Sequence, residues 1–154
     1  MRAVSACDLI TQAVELYHDV AEDKAIQLIT AIPSELSFSA DRNRMLQVLA
    51  NLLENAIKYT ATGGQVTITA ARNDHHIVLI ITDTGVGIPL EELPHIWDRL
   101  YRGDKSRSQR GLGLGLSVVK AIVLAHHGAV QVSSTPGSGS TFTLSLPLVS
   151  LTSS

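Results

Sequence analysis

Asn51, Asn55 and Lys58 follow one another at intervals of four and three residues, the spacing that lines side chains along one face of a helix. The stretch that carries them, 41–60 (DRNRMLQVLANLLENAIKYT), has the composition of such a helix. Wound at roughly 100° per residue from Asn51, it gathers Met45, Leu46, Leu49, Leu52, Leu53, Ala56 and Ile57 on one side. Arg44, Gln47, Asn51, Asn55 and Lys58 collect on the other. An asparagine inside a helix costs a few tenths of a kcal/mol against alanine, and Glu or Lys would solvate the face without that cost. Two carboxamides with a cation beside them suit a hydrated metal ion and a polyanion. On this helix alone, hydrogen bonding to a neighbouring loop explains the asparagines equally well.

A second chemical group lies downstream. The run His75–Thr82 (HHIVLIIT) is nearly all apolar and reads as a central strand. It ends in Asp83-Thr84-Gly85-Val86-Gly87-Ile88-Pro89, which places a carboxylate at the lip of a cavity. Residues 96–110 (IWDRLYRGDKSRSQR) then turn basic, with Arg99, Arg102, Lys105, Arg107 and Arg110 set against Asp98 and Asp104. Gly111-Leu112-Gly113-Leu114-Gly115-Leu116 follows and runs into an apolar helix, where free backbone N–H groups favour an anion. Alone this glycine run says little. It does not follow a strand, as a dinucleotide-binding turn would, and no Gly-x-x-x-x-Gly-Lys-Ser/Thr loop occurs. Its order and company make it informative.

The rest of the chain supplies the elements that position these groups. Residues 7–23 have helical spacing with Asp8 as a cap, and a strand is expected over 25–31. Pro33 and Ser34 break it, and an extended piece at 36–39 leads to the cap Asp41. Gly63-Gly64 make a turn. Gln65–Arg72 and His75–Thr82 form an antiparallel hairpin through Asn73-Asp74. Pro89 with Glu91-Glu92 begins a short helix. The helix LSVVKAIVLAH is terminated by Gly128. Two strands, 129–133 and 140–146, are joined by the turn at 136–139. The stretch 102–112 has the look of a mobile loop, and the tail 149–154 is expected to fray. The whole, 1–154, reads as one domain with an ordered core over about 8–148.

Composition excludes several classes. The formal net charge of -2 argues against bulk attraction to nucleic acid or anionic membrane. No apolar run approaches the length of a membrane span, and MRAVSACDLI lacks the apolar core of a secretory signal. The single cysteine, Cys7, rules out an internal disulfide and suits a reducing compartment. Few aromatics are present for a single-strand stacking platform.

Four motifs in this order resemble the sensor histidine kinases. NLLENAIKYT at 51–60 resembles their N box, and DTGVGIP at 83–89 their first glycine box. IWDRLYR at 96–102 is similar to the F box, and GLGLGL at 111–116 to the second glycine box. The resemblance extends over about 8–148. It implies an α/β (α+β) two-layer sandwich, the Bergerat fold, with a mixed, largely antiparallel sheet of about five strands covered on one face by about three helices. It implies Mg-ATP as the ligand. Asn55 is then the Mg²⁺ ligand and Asn51 a contact to phosphate or metal-bound water. Lys58 meets the phosphates and Tyr59 packs near the nucleotide. Asp83 accepts from the adenine amino group, with Gly85, Gly87 and Ile88 beside the ring. Tyr101, Arg102, Gly111, Leu112, Gly113, Leu114, Gly115 and Leu116 belong to a lid over the triphosphate, and Asn51, Asn55, Lys58 and Arg102 form the catalytic set. One neutral amide is enough for Mg²⁺ when phosphates supply the charge, and a carboxylate discriminates adenine from guanine by its donor requirement.

The sequence departs from the family pattern at Trp97 and Leu100, where the F box usually has Phe, and at Leu112, where a small hydroxyl residue is common. The family's phosphoacceptor histidine is not found: His18 precedes Asp19 without a matching proline, and the other histidines lie at turns or helix ends. The chain is therefore expected to be a catalytic fragment that binds ATP without phosphorylating itself. Its partners would be the dimerisation and histidine-phosphotransfer domain of the same kinase and a response regulator. The isolated domain is expected to be a monomer, its parent a homodimer, and its location cytoplasmic. A second reading is an ATP-hydrolysing switch, as in DNA gyrase or the large heat-shock chaperones. Those relatives carry a water-activating Glu where this chain has Asn51, which cannot take a proton from water. Glu54 could serve only with altered geometry. A third reading is a nucleotide-binding module without catalysis.

Overall fold

The computed structural model describes residues 2–33, 36–73, 75–91, 93–97 and 112–148. The described elements run β1 (Arg2–Ser5), α1 (Ala6–Asp23), β2 (Gln27–Ala31), β3 (Ser37–Ala40), α2 (Arg42–Tyr59), β4 (Gln65–Asn73) and β5 (His76–Asp83). A single 3₁₀ turn (Leu93–His95), α3 (Leu112–Ala125), β6 (Ala129–Thr135) and β7 (Gly139–Pro147) complete them. The main sheet has five strands in the order β2-β4-β5-β7-β6, and β1 pairs with β3 in a separate ribbon. Only the β2–β4 pairing is parallel, and the other three main-sheet pairings are antiparallel. The mixed sheet with three helices is the two-layer sandwich expected from the sequence.

Alternation builds the interface between the layers. Buried positions fall on every second residue: Val66, Ile68 and Ala70 in β4, Ile77, Leu79 and Ile81 in β5, Phe142, Leu144 and Leu146 in β7. The registers Ile68↔Ile81 and Ile81↔Phe142 put these rows on one face. They join Leu9 and Ile10 of α1, Leu49, Leu52 and Leu53 of α2, and Val119 and Val123 of α3 in one continuous core. The apolar row of α2 is fully buried as anticipated, except that Leu46 is only half-buried and Val48 joins it. β5, the most apolar run, is the middle strand.

Several local expectations change. Asp8 is not the cap of α1. Ser5 accepts the Asp8 N–H at 3.2 Å, and Asp8 sits in the first turn, where its charge complements the helix pole. β1 was not expected, because four residues are too short for a periodic signal and it exists through pairing with β3 (Val4↔Phe38). β2 starts at Gln27 because Ala25 adopts a left-handed φ of 57° to close α1. The short helix at Pro89 is instead the one turn at Leu93–His95. Gly113 and Gly115 lie inside α3, which begins at Leu112, instead of in a loop before it. The left-handed residue that ends α3 is His127, with φ 63°, not Gly128. Gly128 is required for another reason: a Cβ there would collide with the Ser145 carbonyl oxygen on β7. The loop 102–112 up to Gly111, and the tail 149–154, lie outside the described residues.

Candidate nucleotide site

The C-terminal half of α2 and the loop after β5 face each other, and their chemistry is complementary. Asn55 projects from the side of α2 opposite its leucine row, yet it is only 6% exposed. Its Oδ1 is the one buried side-chain polar atom without a hydrogen-bond partner among the described residues. Leaving a buried acceptor unpaired costs about 1–3 kcal/mol, so it is an anomaly in a protein interior. A hard oxygen donor of this kind fits a magnesium ion held mainly by phosphates and water. Asn51, Lys58 and Tyr59 are half-buried on the same helix, and Glu54 is exposed.

Strand parity delivers the second half of the site. Asp83 lies on the same face of β5 as Ile77, Leu79 and Ile81, so its carboxylate emerges beneath the helical layer and is only 5% exposed. The Gly85 N–H donates to Asp83 Oδ1 at 2.8 Å. Burial pushes the Asp83 carboxyl above the ordinary carboxylate range, against the opposing pull of backbone N–H donors at Gly85 and Ser140. A buried carboxylate short of counter-charge is suited to accept from a neutral amino donor.

The loop itself is tied on two sides. Val86 N–H donates to the Tyr59 carbonyl at 3.2 Å, and Gly137 N–H donates to the Val86 carbonyl at 2.7 Å. Ile88 N–H donates to Ser134 Oγ at 2.6 Å, which also meets Ser140 Oγ at 3.0 Å. Gly85 must be glycine because a Cβ would strike the Tyr59 carbonyl. Gly87 adopts φ +80°, and a Cβ there would strike the Thr135 carbonyl.

The structure thus brings Asn51, Asn55, Lys58 and Tyr59 together with Asp83, Gly85, Gly87 and Ile88. Leu116, the first α3 residue whose side chain is described, is buried, and Leu112 to Gly115 are helical. Tyr101, Arg102, Gly111 and Leu100 lie outside the described residues. Trp97, the F-box departure, packs edge-on against Phe142 with ring centroids 5.8 Å apart, and Lys120 Nζ lies 5.9 Å from its ring centre. Sequence reasoning missed Ser134 and Ser140, because each meets the 83–88 segment through contacts distant in the chain. His126, expected at a helix end, is there but buried and structural. Its Nε2 accepts the Asp41 N–H at 3.0 Å and its Nδ1 meets the Ile122 carbonyl at 2.8 Å. Away from this site, a groove of about 950 Å³ lies between β1, the start of α2 and the end of α3, at the opposite end of α2 from Asn55.

The family described as histidine kinase-, DNA gyrase B- and HSP90-like ATPase matches residues 40–150. The adaptive-response sensory kinase SasA of Synechococcus elongatus is 45% identical over 142 residues, covering 91% of this chain and 37% of SasA. The chain thus spans little more than a third of that relative. The mycobacterial sensor histidine kinase MprB superposes with a TM-score of 0.84 at 30% identity, covering 95% of this chain and 97% of that one. ShkA, solved full-length in complex with AMPPNP, superposes at 0.81 with 30% identity, covering 94% of this chain and 30% of ShkA. By its motifs, its sheet order and these likenesses, the chain belongs to the histidine kinase-, DNA gyrase B- and HSP90-like ATPase family, as a sensor histidine kinase catalytic and ATP-binding domain.

Proposed function

We propose that the chain binds Mg-ATP between the C-terminal half of α2 and the 83–88 loop. It then presents the γ-phosphoryl group to a histidine on a separate dimerisation module, for onward transfer to a response regulator. The observation that carries this reading is the buried, unpaired Oδ1 of Asn55. Asn55 would hold Mg²⁺, with Asn51 beside it on phosphate or metal-bound water. Held there, a divalent cation would supply positive charge against the phosphates. Lys58, with Arg102 from the segment outside the described residues, would balance the remaining phosphate charge. Asp83 would accept from the adenine amino group, while Gly85, Gly87 and Ile88 let the loop backbone lie close to the ring. Tyr59, Tyr101 and the 111–116 run would complete the enclosure.

In the transfer, an imidazole nitrogen of the partner histidine forms the new N–P bond as the bond to the β–γ bridging oxygen breaks, and ADP leaves. The chain's contribution is positioning and charge balance. The partner would be the histidine-phosphotransfer module of a homodimeric parent, in the cytoplasm, and the isolated domain a monomer that does not phosphorylate itself. No described helix is long and apolar enough to cross a membrane. The kinase reading is favoured over hydrolysis by Asn51 and by the placement of Glu54. That carboxylate is exposed and faces Tyr17 of α1, whose hydroxyl pKa is raised by burial and then by Glu54.

Mixing the chain with a matching dimerisation module and labelled Mg-ATP tests the proposal. Phosphohistidine on the module is expected. Free phosphate alone would establish a hydrolase, and neither product would leave a binding module. Label on one of the chain's own histidines would overturn the fragment reading.

A further inference from the structure

The last four carbonyls of any helix lack intrahelical donors, and in α2 these belong to Ala56, Ile57, Lys58 and Tyr59. Each has a partner. Thr60 Oγ1 donates to Ala56 O at 2.7 Å, and Thr60 N–H reaches Ile57 O at 3.3 Å. Val86 N–H donates to Tyr59 O. Lys24 Nζ donates to both Ile57 O, at 2.8 Å, and Lys58 O, at 3.0 Å. Among the described residues, Lys24 is the donor found for Lys58 O.

The geometry points to Lys24 as a positioning residue of the nucleotide site, holding the last turn of α2 and, through Tyr59, the 85–87 loop in the arrangement that binds nucleotide. This inference rests on the nucleotide reading above. Lys24 comes from the turn that closes α1, far from the four motifs in sequence. That turn is built to present it: Ile26 N–H returns to Ala21 O at 2.8 Å and Ala25 N–H to Glu22 O at 2.9 Å, a Schellman closure with Lys24 at its cap. The connection is reinforced where Gly63 N–H donates to Ala25 O at 3.1 Å and Gln27 N–H to Gly64 O at 3.0 Å. An ammonium at this end also offsets the negative pole of α2 close to where Lys58 and Tyr59 leave the helix. Hydrogen bonds to a charged donor are among the stronger ones. Without the ammonium, Lys58 O loses its donor and the final turn that carries Lys58 and anchors Val86 is free to fray.

The test uses the chain as it stands, with Lys24→Met, Lys24→Arg and Ile10→Val, the last a core change on α1 of comparable stability cost. Calorimetric titration with Mg-AMPPNP is expected to weaken by about 10-fold in Lys24→Met and to recover to within about 3-fold in Lys24→Arg, which restores a cationic donor. Ile10→Val should bind as the parent does. Amide exchange without nucleotide should accelerate at Thr60 and Val86 in Lys24→Met and remain unchanged in the middle of β5. Unchanged affinity in Lys24→Met, or an equal loss in Ile10→Val, would overturn the assignment. If the parent chain itself binds no Mg-AMPPNP, the nucleotide reading fails, and the inference with it. The exchange data then show separately whether Lys24 caps α2.

Discussion

The helices of this domain end in two different ways. α1 and α3 close on themselves: each finishes with a residue in the left-handed region, Ala25 or His127, and returns its N–H groups to its own last carbonyls. α2 does not. Its final carbonyls are distributed to Lys24, Thr60 and Val86, two of which lie more than twenty residues away in sequence. Those two endings are completed by their own backbone, although their turns also carry Lys24 and His126 to the two ends of α2. An ending shared with distant segments makes the helix terminus and the 85–87 loop one mechanical unit. Lys58, Tyr59, Gly85 and Gly87, four of the proposed nucleotide residues, sit on that unit.

The most direct way to break the contrast is Gly85→Ala, which forces a methyl group against the Tyr59 carbonyl. Denaturant unfolding should show a loss of about 2–3 kcal/mol, accompanied by loss of nucleotide binding. Unaltered stability would mean that the loop and the helix end are not in contact as described.

Asp83→Asn comes next. The amide retains an oxygen for the Gly85 N–H but loses the charge, so affinity for ATP should fall by about 10- to 100-fold while the fold persists. The sign of the pH effect follows from burial. The folded chain holds the Asp83 proton to higher pH than the unfolded chain does. Stability is therefore greater below the ordinary carboxylate range and declines as pH rises through the raised folded value. Nucleotide affinity moves the other way, falling as pH drops through that same value. Titrations and melts across the acid range should show both trends in the parent, with the Asp83 component of each absent in the variant.

Asn55→Leu sharpens the reading of the orphaned oxygen. Removing a buried unpaired acceptor should raise the stability of the nucleotide-free chain by about 1 kcal/mol, and the Mg²⁺-dependent part of ATP affinity should vanish. A stability loss would show that Oδ1 has a partner in solution.

The smallest effects belong to the two left-handed residues that close α1 and α3. Ala25→Gly and His127→Gly relieve a left-handed backbone at a side-chain-bearing residue, and each should add about 0.5–1 kcal/mol in thermal melts with nucleotide affinity unchanged. Thr60→Gly, at the shared end, should do the opposite on both counts.

Much of the fold was readable because its signals are local. The 3.6-residue period of α2, the alternation of β4 and β5 and the Pro-Gly turn at 136–139 each declare themselves within a dozen residues. The order of Asn51, Asn55, Asp83 and the glycine run was equally visible. What escaped has a common cause. Lys24 looks like any surface lysine until Ile57 and Lys58 arrive beside it, and Ser134 until Ile88 does. The burial of Asn55 inverts what helical projection suggests, because projection knows the helix and not what packs against it. Gly128 misled in a further way: it signals a helix stop, whereas its actual constraint is the approach of β7 and the left-handed position falls to His127.

His126 gives the far end of α2 a matching restraint. A backbone N–H can only donate and a carbonyl can only accept, so the ring must carry its proton on Nδ1 and receive Asp41 on Nε2. With that imidazole at the front and an ammonium at the back, α2 is a beam pinned at both supports. It cannot slide along its axis without surrendering one of them. The position of its carboxamides over the sheet is thereby fixed from both ends before any ligand arrives, which would lower the binding energy that the proposed nucleotide spends on ordering the helix.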